Sequence, residues 1–272
     1  MKIQNIIFCW NRVYDEVLKI YENLKDNNIN VEVINSSNKI HQDWDNVGDD
    51  YWCYGQTYKA FKKFDDSNDY LNIIFGDVEY DNFTTLIKST ESILESNDNI
   101  GIFAPDYGNK KRCWWTIENT SVDMFDDENQ IVLENPNLVV STMCDFFCIA
   151  IHKDLVKEYN KFLDYFVEKY ENFPLWKGSG YGTGTILCIM CHLNNNLICR
   201  SKDLVVGHSD ISGGFSKETV KYYDIILDEY KKYMGNGKAF DSKRKLVMDR
   251  CGKYENKIID VNLSELWSIN NK

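Results

Sequence analysis

The sequence predicts an α/β fold, with a mostly parallel central sheet flanked by helices and a helical C-terminal extension. Short apolar runs typical of buried parallel strands alternate with segments of helical periodicity. The chain has 272 residues, of which 43% are hydrophobic and 27% charged, as in a globular protein with a sizeable core. After about residue 215 the pattern is mainly helical. We therefore expect an α/β domain over 1–215 and a helical extension over 216–272.

The first elements form a strand, a helix and a second strand. Ile3 to Cys9 is apolar and β-prone, and Val13 to Leu24 carries apolar residues at helical spacing. Val31 to Ile34 follows as a short second strand. This spacing predicts a right-handed βαβ unit with parallel strands.

Polar residues follow both of these strands. Asn11 and Arg12 come after the first strand, and the turn cluster Asn35, Ser36 and Ser37 comes after the second. Parallel sheets of this kind bind ligands at the carboxyl ends of their strands. These residues are therefore candidate binding residues.

The rest of the pattern continues the alternation of helices and strands. We expect helices over Tyr51–Phe64, Phe83–Leu94, Lys153–Tyr170, Ile186–Leu193 and Thr219–Met234. We expect strands over Tyr70–Phe75, Ile100–Ala104 closed by Pro105, Leu138–Thr142, Phe146–Ile151 and Leu197–Val206. The glycine-rich stretch Lys177–Thr185 is expected to be a loop.

Charge and apolar content exclude several classes of protein. Lys plus Arg number 31 and Asp plus Glu number 42, so the net charge is −11. Such a balance repels polyanions, which disfavours nucleic acid as a partner. No apolar run approaches the roughly 20 residues that cross a bilayer, and the start lacks the apolar segment of a signal peptide. The nine cysteines are an odd number and predict reduced, mostly buried thiols, so we expect a cytoplasmic protein.

The most informative segment is the acidic end of the strand that reaches Phe75. Asp77 and Glu79 follow it at positions i and i+2. Two carboxylates leaving the core together can share one hard divalent cation and leave coordination positions for phosphate oxygens. The alternative is an acidic turn that only ends the strand.

The order of these features carries a resemblance to a known family. In chain order, the features are the pair Asn11-Arg12, the cluster Asn35 to Ser37, Asp77-Val78-Glu79, Ala104-Pro105, Asp145 before Phe146, Trp176 with the glycine-rich stretch Lys177–Thr185 (the Trp/Gly-rich loop), and His208 after the last strand. Over about residues 3 to 215 this set resembles the GT-A fold glycosyltransferases related to family 2. Asp77-Val78-Glu79 looks like the family's Asp-x-Asp motif with Glu in the last place.

The resemblance implies transfer of a sugar from a UDP- or GDP-sugar to a glycan or glycoconjugate acceptor, with Mn²⁺ or Mg²⁺ bridging the two phosphates. It implies Asp77, Glu79 and His208 as the metal-binding set, with Asp77 orienting the ribose or a metal-bound water. The donor-binding residues that we expect are Asn11, Arg12, Asn35, Ser36, Trp44, Asp77 and Val78. A core histidine is the alternative role for His208.

The catalytic base is the feature in which this chain departs from the family. Inverting members usually carry an acidic pair just after the Trp/Gly-rich loop, whereas Lys177–Thr185 contains no acid. Asp145 is our candidate, because it interrupts the apolar stretch Val139–Ile151, where a carboxylate is costly unless it faces a cleft. The alternative is a bulge or edge-strand Asp. We expect an inverting, hexosyltransferase-like enzyme, and a retaining mechanism in which the leaving phosphate takes the proton stays open.

Two aromatic residues flank the glycine-rich stretch. Trp176 and Tyr181, with Gly182, are the acceptor-binding residues that we expect, because a flat ring can stack on a sugar face and a glycine-rich loop can close over it.

Three other functions remain open at this stage. A glycosyltransferase acting on hydroxymethylated bases in DNA is disfavoured by the net charge. A nucleotide-sugar-binding protein without turnover would explain the missing acid after the glycine-rich stretch. A nucleotidyltransferase would use a similar metal–carboxylate arrangement, but its N-terminal glycine-rich signature is absent.

Overall fold

A computed structural model describes residues 1–48, 53–97, 99–107, 137–141, 144, 146–169, 181–208 and 217–243. Within these ranges the protein is an α/β structure built on one large sheet with helices on both faces. The strands are β1 (Ile3–Cys9), β2 (Glu32–Asn35), β3 (Asp45–Asn46), β4 (Tyr70–Phe75), β5 (Val78–Glu79), β6 (Ile100–Tyr107), β7 (Leu138–Ser141), β8 (Cys148–His152) and β9 (Leu197–His208). The helices are α1 (Tyr14–Asp26), α2 (Cys53–Lys62), α3 (Phe83–Glu95), α4 (Lys153–Lys169), α5 (Tyr181–Leu193) and α6 (Lys217–Met234), and residues 237–243 are also helical.

The sheet has the strand order β3-β2-β1-β4-β8-β6-β9-β5, and β7 pairs with β9. Strand β1 is parallel to β2 and to β4, and β6 is parallel to β9. Strand β8 lies antiparallel between β4 and β6. Among the strands of the described ranges, six therefore run in one direction, and β5, β7 and β8 run against them. The predicted fold class, a mostly parallel α/β sheet flanked by helices, is confirmed.

Two hydrophobic cores lie on opposite faces of the sheet. On one face α1 and α3 cover β1 and β4, with Val17 and Leu86 among the buried contacts. On the other face α2, α4, α5 and α6 pack together, with Tyr159 and Tyr230 fully buried. Residues 3 to 9 contribute to both cores because successive side chains of a strand point to opposite faces.

The C-terminal helix α6 packs into the second of these cores. Leu227, Tyr230 and Phe240 are buried there, and Tyr230 contacts Phe162 of α4 with ring centroids 5.0 Å apart. Glu229 is buried beside them and forms ion pairs with Lys169 and Lys232. Helix α6 therefore completes the core of the α/β fold.

Two predicted element boundaries were wrong. Strand β6 continues through Pro105 to Tyr107, whereas we expected Pro105 to close it. A ladder irregularity between Pro105 and Asp106 accommodates the proline, which has no N–H to donate. Helix α5 begins at Tyr181, inside the stretch expected to be a loop, so Gly182 and Gly184 are helical. In the part of the chain that the structure describes, no helix has the length and apolarity to cross a bilayer.

Candidate functional site

The candidate site lies at the edge of the sheet where β1, β2, β4, β6 and β9 have their carboxyl ends. Asn11 and Arg12 follow β1 in a short 3₁₀ turn, and both are exposed. Ser36 follows β2, and Asp77 follows β4. The parallel pairing therefore brings these sequence-predicted residues to one edge.

The ends of β1 and β2 are joined at the main-chain carbonyl of Cys9. This oxygen accepts hydrogen bonds from the Ser36 N–H at 2.9 Å and from Ser36 Oγ at 3.1 Å. A third donor comes from helix α2, where Gln56 Nε2 lies 2.6 Å from the Cys9 oxygen and 3.0 Å from the Ile34 oxygen. Gln56 is 1% exposed. Its amide therefore clamps the two strand ends that carry the candidate donor-binding residues.

Asn35 is fully buried and shapes the loop after β2. Its Nδ2 donates to the Lys39 carbonyl at 2.7 Å and to Asn46 Oδ1 at 2.8 Å, while its Oδ1 accepts from the Ser37 N–H at 3.0 Å. Asn11 reaches the same loop, because its Oδ1 accepts from the Asn38 N–H at 2.8 Å. The side chain of Asn35 therefore stabilises the loop. A nucleotide-sugar would contact the exposed surface of this loop and not the Asn35 side chain itself.

Trp44 lies in a packed aromatic cluster beside this loop. Its ring stacks on His41 with centroids 4.5 Å apart and contacts Tyr14 and Tyr21 at 5.2 and 5.6 Å. Trp44 is 5% exposed. His41 covers one face of the ring and the two tyrosines pack around it, so little of the ring is available for stacking on a nucleobase. The donor-binding role of Trp44 stays a prediction.

The turn between β4 and the acidic motif depends on Gly76. A Cβ at this position would lie 2.7 Å from the Phe8 carbonyl oxygen and 2.6 Å from Cγ2 of Val17. Only glycine allows the chain to turn this close to β1 and α1. The turn delivers Asp77, which is 3% exposed, and then Val78, whose side chain packs into the core beneath α1 and α3. Of the side chains in Asp77-Val78-Glu79, that of Glu79 is the exposed one.

Strand β5 brings the acidic motif to the end of β9. Val78 pairs with His208, and Glu79 pairs with Gly207, in an antiparallel ladder. The tertiary fold therefore places the backbone of His208 beside the two acids that the sequence analysis grouped with it. The side chain of His208 lies outside the described part, and the described residues contain no group of three metal-ligating side chains.

Two hard carboxylate ligands nevertheless fit the requirements of Mn²⁺ or Mg²⁺. Such cations are commonly held by one or two carboxylates together with substrate phosphates, so a complete protein cage is unnecessary. Asp77 and Glu79 meet this requirement as a donor set.

Helix α5 begins at the same edge of the sheet. Gly184 in its first turn lies against Phe146, since a Cβ there would be 3.1 Å from the Phe146 Cβ. Phe146 in turn contacts Phe75 at the end of β4, with centroids 6.0 Å apart. Gly182 is buried, and Thr183 accepts a hydrogen bond at 2.9 Å from the Tyr159 hydroxyl. The start of α5 is thus linked through Phe146 to the end of β4, the strand that the acidic motif follows.

Three predicted site residues cannot be placed against these contacts. Asp145 and Trp176 lie outside the described residues, and only the backbone of Tyr181 is described. The catalytic role of Asp145 and the acceptor-binding roles of Trp176, Tyr181 and Gly182 stay predictions.

Sequence reasoning missed an ion pair beside the site. Arg200 of β9 is 5% exposed and pairs with Asp106 near the carboxyl end of β6. A partial signal was available, because Arg200 directly follows the apolar residues Leu197–Cys199 in a predicted strand, and a charge in a buried strand needs a partner. Gln56 had no comparable signal, since its contacts come from strands that are remote in sequence.

Six cysteines whose side chains the structure describes are buried, free thiols: Cys9, Cys144, Cys148, Cys188, Cys191 and Cys199. Burial raises the pKa of Cys9, at the end of β1, to about 12, and raises that of Cys148 to about 12. These thiols stay protonated near neutral pH and are poor nucleophiles.

Comparisons with known proteins yield structural neighbours only. No family model matches the chain, and no curated protein matches its sequence. A glycosyltransferase involved in the glycosylation of the major capsid of PBCV-1 matches 83% of this chain and all of its own, with 11% identity and a TM-score of 0.40. The 4-diphosphocytidyl-2C-methyl-D-erythritol synthase of Anaerococcus prevotii matches 84% of this chain and 96% of its own, with 10% identity and a TM-score of 0.32. At these scores neither likeness bears on the function of this chain.

Proposed function

We propose that this protein is a metal-dependent glycosyltransferase that moves a sugar from a UDP- or GDP-sugar to a glycan or glycoconjugate acceptor. The observation that carries the proposal is the pairing of Val78 with His208 and of Glu79 with Gly207. It brings the acidic motif and the strand-ending histidine, which are far apart in sequence, to the ligand-binding edge of a parallel sheet.

The residues of this edge have distinct roles in the proposal. Asn11, Arg12 and the loop that follows Ser36 hold the nucleoside, because they follow the two strands clamped by Gln56. Asp77 and Glu79 would hold Mn²⁺ or Mg²⁺, which would supply positive charge to the departing diphosphate. In the inverting form, the acceptor oxygen bonds to the anomeric carbon, the bond from that carbon to the phosphate oxygen breaks, and Asp145 takes the hydroxyl proton.

The first test detects binding of the nucleotide-sugar as a rise in the Tm of the protein. UDP, GDP, CMP and dTDP sugars are each added with and without Mn²⁺. A ligand at 100 times its Kd stabilises the native state by about 2.7 kcal/mol, which raises the Tm of a chain of this size by roughly 5–10 °C. We expect such a rise with the UDP or the GDP sugars, and only when Mn²⁺ is present. No rise with either of these two classes would refute the proposal, whatever the CMP and dTDP sugars do.

Matched variants then assign the metal site. Asp77→Asn and Glu79→Gln keep side-chain shape and remove one carboxylate each, and each should abolish the Mn²⁺-dependent part of the rise. Asp81→Asn removes an exposed acid from the same segment and serves as the control. Equal responses in all three variants would contradict the metal assignment.

A turnover assay separates the enzyme from a protein that only binds its ligand. The stabilising donor is incubated with Mn²⁺, with and without a panel of glycan acceptors, and released nucleoside diphosphate is measured. Release that depends on an acceptor supports the proposal. Binding without release under every condition would instead favour the nucleotide-sugar-binding protein considered above.

A further inference from the structure

Glu79 of the acidic motif and Gly207 lie unusually close together where β5 pairs with β9. A Cβ on Gly207 would lie 2.9 Å from Oε2 and 3.1 Å from Cβ of Glu79. Directly opposed residues in an antiparallel ladder normally have their Cβ atoms about 4.5–5.5 Å apart. A methyl group on residue 207 would therefore crowd Glu79, and the absence of a side chain there allows the close approach.

Rotation of the Glu79 side chain relieves only part of this contact. The carboxylate can move away from an added methyl group, but the Cβ of Glu79, 3.1 Å away, can move only if the backbone of β5 or β9 shifts. Strand β5 has two residues, Val78 and Glu79, and follows Asp77 directly. A shift of β5 therefore displaces the Glu79 carboxylate and disturbs the neighbouring Asp77 as well.

We propose that Gly207 is a positioning residue, whose missing side chain lets the Glu79 carboxylate lie over the end of β9 where it can hold the metal and the donor diphosphate. The inference rests on the proposed function and adds to it a residue that neither the motif nor its spacing identifies. A glycine inside a strand ordinarily weakens the strand, and a requirement for close backbone approach is one reason to have one there.

The test compares Gly207→Ala with Val205→Ala in the same strand. Val205 is 43% exposed and lies two residues away, so its truncation leaves the approach of β5 unchanged. Binding of UDP and of GDP is measured by titration calorimetry in the presence and absence of Mn²⁺, and folding is followed by thermal unfolding without ligand. We expect at least a tenfold loss of Mn²⁺-dependent nucleotide affinity in Gly207→Ala, less than a twofold change in Val205→Ala, and cooperative unfolding in both.

A double variant tests whether Gly207 acts through Glu79. In a Glu79→Gly background the carboxylate and the Cβ that would meet an added methyl group are both absent, so adding Gly207→Ala should lower nucleotide affinity by less than threefold. Full additivity of the two losses would show that Gly207 acts by another route.

The possible failures can be told apart. A wild-type protein that binds neither nucleotide with Mn²⁺ overturns the proposed function and, with it, the role of Glu79. A wild-type protein that binds, together with a Gly207→Ala variant of equal affinity, overturns only the inference about Gly207. A Gly207→Ala variant that does not fold also overturns it, because the proposal confines the effect to residues 77–79.

Discussion

Replacement of Gln56 by methionine tests whether the amide clamp joins the two strands that precede the candidate donor residues. Methionine has nearly the same length and removes both hydrogen bonds. The Cys9 carbonyl keeps two donors from Ser36, whereas the Ile34 carbonyl loses the bond from Gln56. Most of the expected loss of stability therefore comes from the broken hydrogen bond to the Ile34 carbonyl.

The magnitude follows from the number and burial of these bonds. A neutral hydrogen bond contributes a net 0.5–1.5 kcal/mol, roughly, and a buried group left unsatisfied costs about 1–3 kcal/mol. We expect Gln56→Met to lower the free energy of unfolding by about 2 kcal/mol, which corresponds to a Tm lower by roughly 4–8 °C in a chain of this size.

Gln56→Glu should be more destabilising at neutral pH, although its shape is closer to the original. It directs a carboxylate oxygen at two carbonyl oxygens that now accept from Nε2 at 2.6 and 3.0 Å. Burial without a donor favours the protonated acid, so its pKa in the folded state is raised. Because the folded state then binds a proton more readily than the unfolded state, the stability of this variant should rise as the pH falls.

Urea denaturation and thermal unfolding measure both variants, and Gln4→Met is the matched control. Gln4 makes three hydrogen bonds, donating to Glu32 Oε1 at 2.7 Å and to the Lys63 carbonyl at 3.1 Å and accepting from the Asp65 N–H at 2.9 Å, but it lies half-buried at the other end of β1. Because water can reach and replace these partners, the control should lose less than about 1 kcal/mol. A Tm of Gln56→Met within about 1 °C of wild type, or a Gln56→Glu variant more stable than Gln56→Met at pH 7, would refute the clamp.

Three further predictions concern stability. Gly76→Ala should lower the free energy of unfolding by about 2–3 kcal/mol, because the new Cβ meets the Phe8 carbonyl and two valine side chains; urea denaturation measures it, and a loss below about 0.5 kcal/mol would contradict the close approach. Glu229→Gln should cost about 1–3 kcal/mol, since the buried carboxylate accepts from Lys169 and Lys232; unfolding at low and high salt measures it, and unchanged stability would show that the pairs contribute nothing. Burial lowers the pKa of His152, so the unfolded state binds a proton more readily than the folded state, and stability is lost as the pH falls below the ordinary histidine pKa. His152→Gln should therefore flatten the fall in Tm between about pH 7.5 and about pH 5.5. A variant with the same pH profile of Tm as wild type would contradict this role of His152.

Local patterns predicted most of the elements that build the sheet. Three elements form where their periodicity indicates, because each buries its own apolar face. They are the strand Ile3 to Cys9, the helix that begins near Val13 and the strand that ends at Phe75. Boundaries at Pro105 and at Tyr181 were misplaced. A single proline fits a strand at a ladder irregularity, and glycines can be helical where neighbours such as Phe146 leave no room for side chains.

Long-range contacts around the site had no local signal. Three features depend on which surfaces meet after folding. They are the insertion of antiparallel β8 between β4 and β6, the burial of Trp44 among aromatic rings, and the hydrogen bonds of Gln56 to two strand ends. Periodicity reports which face of an element is apolar. It carries no information about the partner that covers that face.

By itself, the sequence determined the α/β class, the first βαβ unit and the delivery of Asp77 and Glu79 just beyond a buried strand, because alternation of short-range patterns and the parallel crossover rule constrain these features. Only the tertiary structure decided that β5 pairs with the end of β9, that His208 is the residue opposite Val78, and that Gly207 leaves room for Glu79. The physical reason is register: which residues oppose each other across a ladder depends on the packing of whole strands and helices, and a sequence motif records only one side of that contact.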